Sequence, residues 1–173
     1  LESFRDYASI AKLDWGETDI STLVRQTIQL IRPRAHQQGV QVDVIVPDTD
    51  LPSIVADAAR LEQVLLNLVI NALDEMRDGG TLTLVLAARK TRLKVEVSDT
   101  GRGIPDNLLG RIFDPYFTTK RDGTGMGLAM CDKIVRQHGG QIDVETRASR
   151  TTFRISLPLE DIDGSQRSQA AHH

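Results

Sequence analysis

The chain has 173 residues, of which 40% are apolar and 26% charged, an ordinary balance for a globular domain with a substantial core. Its net charge of −3 gives no sign of the broad basic surface that binds nucleic acid or an anionic membrane. No apolar run approaches the ~18 residues of a membrane span, and no signal peptide opens the sequence.

The single cysteine, Cys131, excludes an internal disulfide and fits the reducing cytoplasm, where we expect the chain to lie. It falls in an apolar helical pattern, so we expect a buried small residue and not a reactive thiol. Because the chain begins at Leu1 without Met, we interpret it as a fragment. Its parent protein could still be anchored in a membrane.

The first element is a predicted helix with an apolar seam, indicated by the 3-4-3 spacing of Leu1, Phe4, Ala8 and Ala11. It either packs on its own domain or is the stump of a longer helix from a coiled-coil or bundle neighbour. A second helix is predicted to follow Ser21 as its N-cap and to run to about residue 31.

The remaining elements alternate along the chain. A helix of about residues 57–76 is expected to be the longest, capped by Asp57 and ended by Gly79 and Gly80. The other predicted elements are a helix at 128–137 and strands at 40–46, 81–87, 93–97, 141–146 and 152–157. This order predicts an α+β fold, a two-layer α/β sandwich with helices on one face of a mixed, mainly antiparallel sheet.

The 57–76 helix carries a polar stripe opposite its apolar face. The stripe repeats every three or four residues and consists of Arg60, Gln63, Asn67, Asn71 and Asp74. Such a stripe is usually only solvated. Two Asn residues four positions apart have no helix-propensity reason to be there, however. Their amide oxygens suit a magnesium ion that already carries phosphate oxygens.

Two glycine-containing motifs follow. Asp-Thr-Gly-Arg-Gly at 99–103 ends a strand with a carboxylate that can accept the N6 amino hydrogen of adenine. Gly101 and Gly103 there would let the backbone pass close to a flat ring, although a plain turn has the same composition. Gly-Thr-Gly-Met-Gly-Leu at 123–128 enters a helix directly, so free amides would face a bound anion.

The loop between these motifs is long, which is typical of lids and binding loops. Its segment 113–120 holds three of the seven aromatic residues of the chain and ends in Lys120, which could reach a terminal phosphate.

Together these segments resemble the sensor histidine kinases. Residues 67–76 look like their N box, 99–103 like their first glycine box, 113–120 like their F box and 123–128 like their second glycine box. The sequences His-Gly-Gly at 138–140 and Thr-Thr-Phe at 151–153 match the family's closing strands. The resemblance covers about residues 19–157 and implies the Bergerat ATP-binding fold. The sequences Asn-Ala-Leu-Asp-Glu-Met at 71–76 and Phe-Thr-Thr-Lys at 117–120 are most similar to those of the nitrogen-regulation and oxygen-sensing kinases.

The resemblance also implies roles for individual residues. Asn71 would be the main Mg²⁺ ligand, and Asn67 would support the ion or the phosphates. Asp99 would bind adenine N6, with Thr151 behind it, and Lys120 would hold phosphates. The nucleotide-binding set would further include Asp74, Gly101, Gly103, Gly123, Thr124, Gly125, Met126, Gly127 and Leu128. Asn67, Asn71 and Lys120 are the residues to which we assign catalytic roles.

Two departures from the family pattern stand out. The family usually has Gly-x-Gly before Thr-Thr-Phe, whereas this chain has Ala148-Ser149-Arg150, so a tight glycine turn is missing. The helical hairpin that carries the phosphoacceptor histidine is also absent. His36 has no acidic neighbour and His138 follows a helix, so we expect both to be structural.

The sequence therefore predicts the ATP- and Mg²⁺-binding catalytic domain of a sensor histidine kinase. It would transfer the γ-phosphoryl group to a histidine on the dimerisation hairpin of a homodimeric parent, for relay to a response regulator. The expected boundaries are a dimerisation-helix remnant at 1–14, the domain at 15–160 and a disordered tail at 161–173. Two alternatives remain, a nucleotide-gated binding module and an anti-sigma-type Ser/Thr kinase of the same fold.

Overall fold

A computed structural model of the chain describes residues 13–47, 51–120 and 123–159. The predicted N-terminal helix and the predicted disordered tail lie outside the described residues. Within the described ranges, no helix is both long enough and apolar enough to cross a membrane.

Helices and strands alternate much as the sequence pattern predicts. In chain order they are β1 (Gly16–Thr18), α1 (Ile20–Gln37), β2 (Val40–Ile45), β3 (Ile54–Ala56), α2 (Ala58–Glu75), β4 (Gly80–Arg89), β5 (Arg92–Asp99), α3 (Asp106–Leu109), α4 (Gly127–Gln137), β6 (Gln141–Arg147) and β7 (Arg150–Pro158).

The main sheet has five strands in the order β2-β4-β5-β7-β6. Only the β2–β4 pair is parallel, and the other three pairs are antiparallel. Strand β4 shows how the layers meet, because Leu82, Leu84 and Leu86 alternate along it and are at most 2% exposed. Helices cover that face of the sheet, so the predicted two-layer α+β architecture is confirmed.

Two details of the helices differ from prediction. Asp19, not Ser21, is the N-cap of α1, because its carboxylate accepts hydrogen bonds from the Ser21 amide at 2.8 Å and the Thr22 hydroxyl at 2.7 Å. Helix α1 also continues past Pro33 to Gln37 and has 18 residues, as α2 does, so the expectation that α2 is the longest helix was wrong.

A two-stranded sheet was not predicted at all. Strands β1 and β3 pair antiparallel over three residues each, with Gly16 opposite Ala56 and Thr18 opposite Ile54. The Thr18 hydroxyl adds a hydrogen bond to the Ala56 carbonyl at 3.2 Å. This small sheet ties the start of the domain to the residues just before α2.

The turn between β6 and β7 is tight although it contains no glycine. Arg147 pairs directly with Arg150, which leaves Ala148 and Ser149 as a two-residue connection. Their φ angles are 46° and 64°, so both lie in the left-handed region that a type I′ hairpin turn demands. The chain therefore makes a tight turn here without glycine and at a cost in backbone strain, since left-handed backbone is unfavourable for Ala and Ser.

Ala148→Gly should raise the free energy of unfolding by about 1 kcal/mol, because glycine adopts a positive φ without the Cβ clash. Chemical denaturation of the purified chain measures this change. Ala88→Gly is the matched control, since Ala88 is exposed within β4 and the same substitution should lower stability by roughly 0.5–1 kcal/mol there. Equal destabilisation by both substitutions would contradict strain at residue 148.

Candidate functional site

Helix α2 separates a core face from a site face. Its buried side chains, at most 4% exposed, are Leu61, Val64, Leu65, Leu68, Val69, Ala72 and Leu73. The half-buried side chains of Asn67, Asn71 and Asp74 lie on the other side, as the polar stripe predicts. The Asp57 carboxylate accepts a hydrogen bond from the Arg60 amide at 3.0 Å and caps the helix, also as predicted.

Lys120 lies against this polar stripe from the loop that precedes α4. Its ammonium donates hydrogen bonds to the Asn71 side-chain oxygen at 2.9 Å and to the Asp74 carboxylate at 2.5 Å. The Asp74 carboxylate also accepts from the guanidinium of Arg34 on α1 at 2.5 Å. Burial opposes ionisation of Asp74, but these two cationic donors outweigh it and hold its pKa below the usual value.

The start of α4 lies beside Asn67, whose amide nitrogen is 3.5 Å from the Gly127 carbonyl oxygen. Just before it, Gly125 has a φ of +67°, and its carbonyl accepts a hydrogen bond from the Tyr116 amide at 2.9 Å. A Cβ at Gly125 would collide with the Tyr116 backbone, so glycine is required where the two ends of the loop meet.

Asp99 ends β5 as a buried carboxylate with 4% exposure. Burial, opposed by the hydrogen bond from the Gly101 amide at 2.9 Å and assisted by the negative charge of Glu75, raises its pKa to about 6. A buried carboxylate with one hydrogen-bond donor has capacity for a second, such as an amino group.

The glycines after Asp99 allow close packing. A Cβ on Gly101 would come within 2.7 Å of the Glu75 side chain, and one on Gly103, whose φ is +76°, within 2.9 Å of Thr146. On the other side of Asp99, buried Thr151 is its direct partner in the β5–β7 register. Thr151 therefore lies where the resemblance puts it, although its role stays a prediction.

The predicted site residues fall into two groups. One group gathers where α2, α4 and the preceding loop meet, and comprises Asn67, Asn71, Asp74, Lys120, Gly125 and Gly127. The other surrounds the end of β5 and comprises Asp99, Gly101, Gly103 and Thr151.

Three predicted residues contribute less than expected through their side chains. Met126 is 4% exposed and therefore buried, while Leu128 packs on the core. The Thr124 hydroxyl accepts a hydrogen bond from the Met126 amide at 3.4 Å. A Cβ on Gly123 would press on Thr118 and Lys120, so this glycine shapes the loop that presents the lysine.

Sequence reasoning missed three charged residues at the site. Arg34 binds Asp74 from a helix 40 residues away, for which no sequence signal exists. Glu75 follows Asp74 directly and forms an ion pair with Arg102 at 3.3 Å. Arg102 is the third residue and lies between the two glycines of the first glycine box. The negative charge of Glu75 near Asp99 connects the two groups of site residues.

Comparison with known proteins shows the family of the chain. The family model described as "Histidine kinase-, DNA gyrase B-, and HSP90-like ATPase" matches residues 56–161, which is more than half of the chain. The chain belongs to this family. It is 41% identical over 142 residues to the sensor histidine kinase ZraS of Escherichia coli (strain K12). That alignment covers 82% of this chain and 30% of ZraS, so the chain spans about a third of that relative's length.

Solved structures of the family superpose well. Full-length ShkA in complex with AMPPNP has a TM-score of 0.80 and 33% identity, covering 90% of this chain and 34% of ShkA. Histidine kinase ThkA in complex with the response regulator protein TrrA has a TM-score of 0.81 and 28% identity, covering 92% of this chain and 46% of that one. The prediction of a histidine-kinase-type ATP-binding catalytic domain is confirmed, and the two alternatives are not favoured.

Asp99→Asn should weaken ATP binding about ten- to hundredfold, because a charge-assisted hydrogen bond to adenine N6 is lost. The fold should not suffer at pH 7. Since the pKa of Asp99 is raised to about 6 from 3.8, its ionisation lowers stability as the pH rises from about 4 to 6. The full cost is present above about pH 6, and Asn removes it. Calorimetry with ATP and GTP, together with thermal melts, measures both effects. Equal affinities for ATP and GTP in the unsubstituted chain would contradict the adenine assignment.

The pH dependence gives a control for the same residue. The ATP affinity of the unsubstituted chain should fall as the pH drops through about 6, because protonated Asp99 is a weaker acceptor. In Asp99→Asn this contribution disappears, while protonation of ATP itself affects both proteins equally. Identical pH profiles would show that Asp99 does not titrate at the site.

Proposed function

We propose that this chain binds ATP with Mg²⁺ and transfers the γ-phosphoryl group to a histidine on the dimerisation hairpin of a sensor histidine kinase. The observation that carries the proposal is the meeting of Asn71, Asp74 and Lys120 beside the start of α4, in a chain of this family. The amide and carboxylate oxygens can take a metal ion, while the ammonium and the first amides of α4 can bind phosphates.

The adenine end of the site lies at Asp99. Its carboxylate accepts the N6 amino hydrogen, which guanine does not offer, while Gly101 and Gly103 leave no side chain in the way of the ring. Thr151 lies directly opposite Asp99 in the sheet and would support the carboxylate. Recognition by a buried charge makes the choice of base strict, because a mismatched base leaves that charge unpaired.

Mg²⁺ fits the residues at the α2 stripe. The Asn71 and Asp74 oxygens both accept hydrogen bonds from an ammonium ion, which supports their capacity for a cation. Among the described residues there is no cluster of three or more His, Cys, Asp or Glu that could hold a metal by itself. A site with one amide ligand suits Mg²⁺, which takes its other ligands from phosphate oxygens and water.

The phosphates lie between α4 and Lys120 in this proposal. The first amides of α4, from Gly127 onward, have no partners within the helix and carry the positive end of its dipole. Lys120 contacts Asn71, one helical turn from the Asn67 that lies beside Gly127, so in this proposal it exchanges that contact for a phosphate oxygen. Gly125 keeps the two ends of the loop together.

Phosphoryl transfer then needs positioning and charge neutralisation more than covalent chemistry by this domain. Mg²⁺ supplies charge neutralisation at the phosphates when it is bound. Asn71 and Asn67 orient the triphosphate, Lys120 and the α4 amides balance charge on the γ-phosphoryl group, and Asp99 anchors the base. The attacking histidine comes from the hairpin. A response regulator is the proposed final acceptor, as a partner of the kind bound by ThkA.

Asn71→Ala should leave a folded domain whose affinity for ATP no longer increases with Mg²⁺, because its amide ligand is removed. The measurement is a thermal shift with ATP, with and without Mg²⁺. Gln63→Ala is the matched control, since Gln63 lies two turns earlier on the same half-buried stripe and binds Arg60. If Asn71→Ala still responds to the metal as the unsubstituted chain does, Asn71 is not a ligand.

The reaction itself is tested by radiolabel transfer from γ-labelled ATP. The chain alone should bind ATP and remain unlabelled. A phosphoacceptor hairpin of a family member, joined to its N-terminus or supplied in trans, should acquire an acid-labile, base-stable phosphohistidine. Acid-stable label would support a Ser/Thr kinase instead. No label on a folded, ATP-bound fusion would leave the nucleotide-gated binding module as the better account.

A further inference from the structure

The residues that enter the domain make specific contacts before the first strand begins. The Asp14 backbone amide donates a hydrogen bond to the Asp57 carboxylate at 2.9 Å. The Trp15 indole packs on the His138 imidazole, with ring centroids 5.0 Å apart and a tilt of 56°. We call these four residues, Asp14, Trp15, Asp57 and His138, the entry clasp.

Asp57 is the centre of the entry clasp, because it joins three segments through three different atoms. One carboxylate oxygen caps α2 at the Arg60 amide, and the other accepts from the Asp14 amide. Its own backbone amide donates to Nε2 of His138 at 3.0 Å. Asp57 is 6% exposed, and its hydrogen bond to His138 is buried and therefore shielded from competing water.

His138 holds one defined orientation. Its Nδ1 lies 2.8 Å from the Ile134 carbonyl oxygen, which can only accept, so Nδ1 carries the proton. Nε2 is then the acceptor for the Asp57 amide. Burial lowers the pKa of His138, and this favours the same neutral ring. Trp15 therefore packs on a buried ring whose two nitrogens are both satisfied.

The entry clasp and the nucleotide site lie at opposite ends of the same helix pair. Asp57 and His138 meet at the start of α2 and the end of α4. Further along, the Cys131 thiol donates to the Val64 carbonyl at 3.8 Å, and Asn67 approaches Gly127. The helices thus run antiparallel over about ten residues, or roughly 15 Å at 1.5 Å per residue. A chain segment attached at the entry clasp therefore has a defined position relative to the nucleotide site at the other end of the helix pair.

We propose that Asp14 and Trp15 are positioning residues, which hold the entering segment against the α2–α4 pair and so fix the upstream phosphoacceptor relative to bound ATP. The inference rests on the proposed function. Its physical basis is that a fixed approach raises the effective concentration of the acceptor histidine at the γ-phosphoryl group. Gly16, which follows directly, pairs with Ala56 in the β1–β3 sheet and continues this attachment into the domain.

The test uses the chain joined to a phosphoacceptor hairpin and compares Trp15→Ala with Trp15→Phe. Trp15→Ala should slow single-turnover labelling about tenfold or more while the Kd for ATP stays within about twofold. Trp15→Phe keeps a ring on His138 and should restore most of the rate. Ile31→Ala, in the buried face of α1, is the control for a loss of stability away from the entry clasp.

Trp15→Leu replaces Trp15→Ala if the latter does not fold, since it keeps apolar contact without a ring. Labelling at the unsubstituted rate by either folded variant would overturn the inference and leave the proposed function intact. A parallel rise in the Kd for ATP would also overturn it, because the effect would then come from damage to the site. No label from the unsubstituted fusion would overturn the proposed function itself.

Trp15 is the only tryptophan in the chain, so its fluorescence provides a measurement that is independent of activity. We expect the indole to be partly protected from acrylamide quenching in the chain alone. His138→Gln should increase the quenching by removing the ring that Trp15 packs on. Equal quenching in the two proteins would show that Trp15 does not pack on His138 in solution, and would overturn the inference.

Discussion

The burial of one face of α2 is the constraint on which the other features depend. Leu68, Val69 and Leu73 are completely buried, so the helix cannot rotate about its axis without exposing them. That single rotational setting aims Asn67 and Asn71 away from the core and toward α4 and the Lys120 loop. The same packing brings the first turn of α2 to the end of α4. Core packing alone therefore determines which side chains of α2 face the site.

Asp99 shows how the site departs from what stability alone favours. A buried carboxylate with a raised pKa is a poor choice for folding, since an amide of the same shape would accept the Gly101 hydrogen bond without a charge. Gly101 and Gly103 lose more conformational entropy on folding than other residues would, but they allow close packing beside Asp99. The proposed contact with the adenine amino group would give this carboxylate a second hydrogen-bond donor, as expected in a family that includes ATPases.

Much of this architecture is predictable because its signals are local. The alternation in β4 and β5, the Asp57 cap and the four motifs depend on near neighbours in the sequence. The β1–β3 pair was missed because three-residue strands carry almost no period, and their pairing spans about 40 residues. The hydrogen bond from Arg34 to Asp74 and the packing of Trp15 on His138 were missed for the same reason. The Ala148-Ser149 turn shows that register can impose a conformation that local preference opposes.

Asp74 has a consequence for how the loop before α4 can move. Its carboxylate is shared between Lys120 from that loop and Arg34 from α1. A lysine that left for a phosphate oxygen would not leave a half-buried anion uncompensated, because the guanidinium stays behind as its counter-ion. The electrostatic barrier to exchanging partners is therefore low. Lys120 could thus move from Asp74 to a phosphate oxygen while Arg34 keeps the charge of α2 balanced at Asp74.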